Sequence, residues 1–381
     1  MKQRVTWEVV AAVIVSVKLS ALTTYAPIVI GSPPVRAPWL VAMISGGAAL
    51  LLALFASLLA DRFGRADLVT AACGTLGKVC GRLLAAVAGL LFTYVAATDL
   101  RQLAEFVGDT ALRRTPIWVL MAVFLLVVLR AVRAGLVTTG RLSKLTAVAV
   151  VAAMLVLTVL ASNHIDLRRL RPILEGGIMP VLHQAATPFG VFGEAAWIAL
   201  LFYPLVRSPA ELRKGIVVGV AVNIVIVGLG GTLLIALFGP AVVSRLMYPT
   251  YSAVESIQIG RYLQRLEWTM VVLWVGTVYV KVTVLLCGAT RCWSGVIGTS
   301  RSSPLALPVG VAALVGGLYI YHDALDVWQG FSPARFLPPE LALEVGIPAV
   351  LLLVAAIRGR RRAAAPDDVP AVGAGPGASP P

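Results

Sequence analysis

The sequence predicts an all-α integral membrane protein of ten transmembrane helices, built as a 5+5 inverted repeat. Hydrophobic residues make up 59% of the 381 positions and charged residues only 13%, too few to cover the surface of a soluble domain of this size. The apolar residues fall in blocks of roughly 18–25, the length at which a helix crosses about 30 Å of hydrocarbon. Two of these blocks, five apart along the chain, are interrupted in a similar way.

The ten blocks are predicted to be helices rather than strands. They lack the period-two alternation of a membrane β-barrel, and lipid cannot satisfy exposed backbone polar groups. The predicted spans are about 7–30, 38–60, 82–104, 116–132, 145–161, 186–206, 215–238, 267–288, 305–321 and 341–357. The stretch 240–266 is too polar to span, and its SAVESIQIGRYLQRL segment is amphipathic, which predicts an extracellular helix over the vestibule.

The two interrupted blocks are spans 1 and 6. Span 1 contains SALTTYAP at 20–27, followed by GSPP, and span 6 contains TPFGVFGE at 187–194. Broken helices at corresponding positions of two halves indicate an inverted-repeat transporter fold with its site near the bilayer midplane. The halves would cover about 1–161 and 162–357 of a single membrane domain.

The net charge of +14 does not indicate a nucleic-acid partner. The basic residues lie between apolar blocks, where they determine the orientation of the helices in the membrane. More of them fall on the side that holds the N-terminus, so the positive-inside rule places both termini in the cytoplasm. Residues 358–381, RGRRR followed by a Pro/Ala/Gly-rich stretch, are predicted to form a disordered cytoplasmic tail.

The residues that usually carry catalysis or metal binding are scattered. The three histidines fall in or near outer loops, and no cluster of His, Asp or Glu marks a membrane face. The four cysteines lie in or beside spans without metal-type spacing and are interpreted as small apolar fillers. We therefore expect no catalytic residue, no metal site and no cofactor, and a polytopic membrane enzyme is disfavoured.

Three of the ionisable residues inside predicted spans are considered as site residues, because a charge deep in a span costs at least about 2.5 kcal/mol and must meet a cavity or a partner. Glu194 in span 6 either contacts a ligand amine, a proton or a cation, or it stabilises the break in span 6. Lys281, deep in span 8, either substitutes for a bound cation near the break in span 1 or is a structural lysine, paired for example with Glu194. Lys18 is expected to snorkel toward the cytoplasmic side.

The walls of the candidate site come from four spans. Backbone N–H groups freed at the break in span 1 can hold an anion, although small hydroxylic residues also serve plain helix packing. On span 3, the i, i+4 pair Arg101 and Glu105 is expected near the outer surface. The candidate ligand-binding residues are Ser20, Ala21, Thr23, Thr24, Tyr94, Thr98, Phe189, Gly190, Phe192, Gly193, Glu194, Trp274 and Thr277.

An ordered set of short motifs resembles the B subunit of spore germinant receptors, the endospore germination permeases of the amino acid–polyamine–organocation superfamily. The resemblance runs from about Val5 to Arg358. The motifs are Pro27 at the end of the first segment, APW at 37–39, LRQLAEF at 100–106, TPIW at 115–118, RAGLVTTGRLSK at 133–144, LRPILEGGIMPVL at 170–182, FGEAAW at 192–197, YPT at 248–250 and IGRYLQRLEW at 259–268. Two positions depart from the family pattern, since residues 20–24 carry no glycine and Val137 stands where an acidic residue is frequent.

The resemblance implies a LeuT-like fold and a receptor on a transporter scaffold rather than an enzyme. Such a subunit lies in the inner spore membrane beside an A subunit and a lipoprotein C subunit. It binds a small nutrient, commonly an amino acid, and helps trigger the release of ions and dipicolinate. An ordinary amino-acid or amine transporter of the same superfamily, which works by alternating access, would share this fold and this site.

Overall fold

The computed structural model describes residues 4–20, 35–64, 66–174, 176–256, 267–299 and 301–357. Ten main helices follow the predicted spans in order. They are α1 (Trp7–Leu19), α2 (Pro38–Arg62), α3 (Lys78–Thr110), α4 (Ile117–Ala134), α5 (Leu136–Ala161), α6 (Met179–Phe202), α7 (Pro209–Phe238), α8 (Glu267–Ile297), α9 (Ala306–Ile320) and α10 (Pro333–Ile357). Within the described ranges, α2 to α10 form nine spans long and apolar enough to cross a membrane. The predicted all-helical membrane fold is confirmed.

Several helices end or begin at residues with specific backbone chemistry. Gly135 joins α4 to α5 with φ of 88°, in the left-handed region that a side chain rarely adopts. Ser208 caps α7 by accepting from the Glu211 backbone N–H at 3.3 Å, and Pro209 takes the first helical position. Short helices at Leu68–Leu76, Pro240–Val243, Pro249–Ser256 and Ala324–Gly330 connect the spans.

The helices pack in two groups, α1, α2, α6 and α7 in one and α3, α4, α8 and α9 in the other. The contacts are symmetric when each helix is exchanged for the one five positions away. The pair α2–α6 then corresponds to α7–α1, α3–α9 to α8–α4, and α1–α5 to α6–α10, and all six pairs are in contact. A five-plus-five repeat requires that the contacts between helices are preserved under this exchange. The boundary near residue 161 remains a prediction.

Small residues allow these helices to approach closely, as is usual between helices in lipid. A Cβ added to Gly215 of α7 would lie 2.7 Å from the Cβ of Val10, and one added to Gly219 would lie 2.9 Å from the Cβ of Ile14. The backbone of α7 therefore rests directly on α1. The N-terminus is held there too, because Val5 donates to the Leu205 carbonyl at 2.9 Å.

The predicted break in span 6 is wrong. Helix α6 runs without interruption from Met179 to Phe202 and has Pro188 inside it. The glycines taken as signs of an unwound turn serve helix packing instead. A Cβ on Gly190 would lie 2.9 Å from Leu337 Cδ2, and one on Gly193 would lie 2.0 Å from Glu344 Oε2. Proline removes a single backbone donor, which one long helix can tolerate.

The irregular backbone of the second half lies in α10. It begins as the helix Pro333–Leu341, which has Pro338 and Pro339 in its interior, passes through a π-helical turn at Ala342–Gly346, and continues as Ile347–Ile357. A π turn inside an α-helix often marks a functional site. In span 1, α1 ends at Leu19, and the predicted break beyond Ser20 lies outside the described residues.

Part of the predicted amphipathic segment is helical. The helix Pro249–Ser256 packs on α7 and α8, and residues 257–266 lie outside the described ranges. Its location outside the cell remains a prediction. The tail at 358–381 also lies outside the described residues.

Candidate functional site

Four charged side chains from four helices meet inside the protein. Lys281 of α8 has its Nζ 2.9 Å from Oε1 of Glu194 on α6 and 3.1 Å from Oδ1 of Asp99 on α3. Lys18 of α1 donates to the other oxygen of Glu194 at 2.9 Å. None of the four residues is more than 4% exposed. We call these four residues the four-charge cluster.

The four-charge cluster is formally neutral, with two ammonium groups and two carboxylates. Glu194 is its centre, because each of its oxygens contacts a different lysine. One of the three ion pairs, Lys281–Glu194, crosses the boundary between the two helix groups, since α6 belongs to one group and α8 to the other. A change in the position of either group would therefore change the partners of these charges.

The structure shows the ion-pair partners of the two lysines, and the cation-substituting role of Lys281 remains a prediction. Lys281 is paired with Glu194, as one of the alternatives anticipated. The expectation that Lys18 snorkels is wrong, because its side chain is 1% exposed and its ammonium faces inward. The physical reason is the acceptor, since the Glu194 carboxylate lies within reach and water at the membrane face does not.

An aromatic group covers the end of α1. The ring centroid of Phe106 lies 4.3 Å from Trp274, 5.0 Å from Tyr248 and 5.8 Å from Tyr251. Trp274 donates its indole N–H to the Ser20 carbonyl at 2.5 Å. These contacts join α3, α8 and the segment 248–251 over the site. We call these four side chains the aromatic cover.

Tyr248 anchors the aromatic cover at its outer edge. Its hydroxyl donates to Asp109 Oδ2 at 2.9 Å. Burial and the neighbouring Asp109 carboxylate raise the pKa of Tyr248 well above its usual value, so the hydroxyl stays protonated and remains a donor. The cover is therefore held by a hydrogen bond from a neutral hydroxyl group to a carboxylate.

A second polar contact lies beside Asp99. The hydroxyl oxygens of Thr98 and Tyr321 are 3.2 Å apart. Next to them is a cavity of about 10 Å³, which borders both Asp99 and Glu340. Such a volume is about the smallest that holds a water molecule. Its further lining residues include Tyr94, Phe336 and Pro339.

Arg101 and Glu105 form the predicted i, i+4 pair at 2.6 Å. Both side chains are buried, and their location near the outer surface of the membrane remains a prediction. Arg101 also donates to the carbonyls of Gly317 at 3.4 Å and His322 at 3.1 Å, so the guanidinium ties α3 to α9 and to the residues that follow it.

The other predicted site residues have different surroundings. Ala21, Thr23 and Thr24 lie outside the described residues. Thr277 is buried and donates to the Trp274 carbonyl at 2.7 Å. Phe192 lies against α2, where its Cε1 is 3.4 Å from a Cβ built on Gly46. Phe189, half-buried, packs on the same core.

Gly190 and Gly193 face α10. Their ligand-binding role, like that of the other candidate residues, remains a prediction.

Sequence reasoning missed three buried acids, Asp99, Glu340 and Glu344. A signal existed for each of them. Asp99 follows Thr98 inside an apolar block, where a carboxylate is rare. Glu340 lies just before the predicted start of span 10 and Glu344 just inside it, and neither was considered as a site residue. They are inside α10 because this helix begins at Pro333, eight residues before the predicted position 341.

The fold and the charged core define a membrane permease. Two solved transporters share its architecture at low identity. A nucleobase-cation-symport-1 family transporter with bromovinylhydantoin bound has a TM-score of 0.66 at 14% identity, over 93% of each chain. A Na⁺-coupled sialic acid symporter has a TM-score of 0.62 at 10% identity, over 94% of this chain and 85% of the other. These likenesses establish a LeuT-like fold.

The chain belongs to the spore germination protein family, whose sequence model matches residues 4–324. Spore germination protein KB of Bacillus subtilis (strain 168) is 27% identical over 72% of this chain and 74% of its own. Spore germination protein A2 of the same organism is 22% identical over 75% and 77%. Both the family and the fold are those of a permease rather than of an enzyme.

Proposed function

We propose that this chain is the ligand-sensing membrane subunit of a spore germinant receptor. It binds a small nutrient, an amino acid, between α1 and α6, with α3 and α8 as walls, and ligand binding triggers germination. The observation that carries the proposal is the four-charge cluster, because it joins the four helices that would surround a midplane ligand. Membership of the spore germination protein family supplies the context.

A zwitterionic ligand can change the pairing within the four-charge cluster. An amine that binds Glu194 competes with the two lysines for the same oxygens, and a ligand carboxylate attracts a displaced lysine. Backbone donors around residues 20–24 are the proposed partners of the ligand carboxylate. Because the Lys281–Glu194 pair links the two helix groups, its exchange would let α1 and α6 move relative to α3 and α8.

Lys281 takes the place of a coupling cation in this proposal. Its ammonium lies within ion-pair distance of two carboxylates from different helices, at 2.9 and 3.1 Å. A fixed ammonium supplies the positive charge that a bound ion would otherwise provide, so ligand binding needs no metal. The receptor would respond to its nutrient at any sodium concentration.

The proposed partners are the A-type and lipoprotein C-type subunits of the receptor. Relatives named as germination proteins A2, B2 and KB support this assignment. The proposed location is the inner spore membrane, with both termini in the cytoplasm. The chain alone is expected to be unstable or inactive, and a full response from the purified chain in vesicles would contradict this.

An amino-acid or amine transporter is the second candidate, because the solved structures of similar fold include symporters. Two measurements separate the functions. Spores without this chain are challenged with single amino acids, and vesicles that hold the purified chain are tested for uptake of labelled amino acids. A germination response lost on deletion and restored by the gene supports the receptor. Rapid uptake by the chain alone, with normal germination of the deleted spores, supports the transporter.

A further inference from the structure

The buried charges in the part of the chain that the structure describes do not balance. Lys18 and Lys281 neutralise Asp99 and Glu194 within the four-charge cluster. Two further carboxyl groups, Glu340 and Glu344 of α10, are 2% and 0% exposed. Neither has an ion-pair partner among the described residues. An isolated carboxylate in such surroundings is strongly disfavoured, so each group must hold a positive charge or a proton.

The contacts of Glu344 leave little room for a metal ion. Its carboxyl group rests on the bare backbone of Gly193, where an added Cβ would be 2.0 Å from Oε2 and 2.6 Å from Cδ. Both of its oxygens are fully buried and make no hydrogen bond to a described residue. In the described part of the chain, no group of three or more His, Cys, Asp or Glu is placed to hold a metal. A proton needs neither space nor additional ligands.

Glu340 borders a separate polar feature. It lines the cavity of about 10 Å³ that also borders Asp99, Thr98 and Tyr321. Asp99 has one oxygen, Oδ2, that is buried without a hydrogen bond, and so does Glu340 in its Oε2. The cavity has about the volume of a single water molecule. Two carboxyl oxygens without a hydrogen-bond partner beside such a cavity indicate that a water molecule hydrogen-bonds to them there.

We propose that Glu340 and Glu344 form a proton-binding site, distinct from the four-charge cluster. Both carboxyl groups are protonated while α10 packs against α6. When the two helices separate, water reaches the site, two protons leave, and two carboxylates remain. The one-water cavity is the route by which a proton passes between Glu340 and the Asp99 side of the site. The proposal holds whether the chain senses a ligand or transports one.

The charged groups that face Glu340 and Glu344 determine whether rising pH strengthens or loosens the contact between α6 and α10. They are Glu194 on α6, Lys18 on α1, Lys281 on α8 and Asp99 on α3, besides the two glutamates themselves. The two lysines are engaged by Asp99 and Glu194, so their attraction for a third carboxylate is largely cancelled. Burial and the neighbouring acids favour the neutral carboxyl groups, and rising pH should loosen the contact between α6 and α10.

Infrared spectroscopy of the purified full-length chain in lipid nanodiscs tests the proposal. A protonated carboxyl group has a carbonyl stretch that a carboxylate lacks and that shifts in D₂O. At neutral pH we expect this band in the natural chain, reduced to about half in either Glu344→Gln or Glu340→Gln and lost in the double variant. Asp326→Asn, at a more exposed carboxylate, serves as the matched control and leaves the band unchanged.

Ion replacement separates protons from cations. Exchange of sodium or potassium for a large organic cation should leave both the band and the melting temperature unchanged. A band that disappears on addition of either ion, or that survives in the double variant, overturns the proposal. Glutamine mimics a protonated carboxyl group, so accumulation of Glu344→Asp but not of Glu344→Gln would also overturn it.

Discussion

Replacement of Glu194 by glutamine is the sharpest test of the four-charge cluster. In the natural chain this carboxylate contacts two ammonium groups, each at 2.9 Å, in a fully buried setting. The change leaves Lys18 without an anionic partner among the described residues and leaves Lys281 with Asp99 alone. Removal of one partner from a buried ion pair costs about 3–5 kcal/mol. A large loss of thermal stability is therefore expected.

The sensitivity of germination to its ligand gives a second expected magnitude for Glu194→Gln. A charge-assisted hydrogen bond contributes about 1.5–3 kcal/mol, which corresponds to a ten- to hundredfold change in affinity. If Glu194 contacts the germinant amine, Glu194→Gln shifts the germination dose curve to higher ligand concentration by about this factor. The assay is germination of spores over a range of amino-acid concentrations, with the level of the chain measured by immunoblot.

A matched control and a compensating variant make the result interpretable. Glu8→Gln removes the carboxylate from an exposed ion pair with Lys144 on the surface. Such a pair contributes about 0–1 kcal/mol, so this variant should change neither the thermal stability nor the germination dose curve. Glu194→Gln combined with Lys18→Met removes one charge of each sign and should restore part of the lost stability.

Three results are decisive. A shifted curve at normal abundance supports ligand or ion contact. An absent protein means that Glu194 is structural, and an unchanged curve with unchanged stability refutes the reasoning about the four-charge cluster.

Three further predictions follow from single contacts. Gly193→Ala should strongly reduce the abundance of the folded chain, because its Cβ would meet a buried carboxyl group at 2.0 Å. Gly47→Ala, with open space around it, should not reduce the abundance. Immunoblots of membranes compare the two variants. Trp274→Phe removes a buried indole donor and should loosen the aromatic cover, measured as faster labelling of a cysteine placed beneath it; unchanged labelling contradicts this. The pKa of Asp326 is lowered by a backbone N–H and by Arg335, so its contribution to stability is present above its ordinary pKa of 3.8 and is lost as pH falls through the lower folded-state value. Hydrogen exchange of residues 322–335 should therefore become faster only at acid pH, and Asp326→Asn should remove this dependence.

The helices were predictable because hydrophobicity alone determines them. All nine described spans from α2 to α10 overlap predicted ones, since lipid requires an apolar helix of a certain length whatever its neighbours are. The limits of α10 were less predictable, because two prolines and two acids at its start resemble a loop. Only packing against α6 shows that this segment is helical and buried.

The two glycines of span 6 show why local pattern was insufficient. Small residues permit both an unwound turn and close contact between helices, and the sequence does not distinguish them. The structure shows contact, because Glu344 and Leu337 occupy the space that a side chain at these positions would take. The same limit applied to Lys18, whose inward direction depends on an acceptor 176 residues away.

By itself, the sequence determined the class of the protein, the order of its spans and two of the four residues of the four-charge cluster, Glu194 and Lys281. These follow from the cost of placing polar groups in lipid, which is a local property of each segment. The tertiary structure alone decided which charges meet, that Asp99 completes the four-charge cluster, and that Glu340 and Glu344 have no ion-pair partner among the described residues. Pairing of charges depends on distances between helices that are remote in the chain, and no local pattern contains those distances.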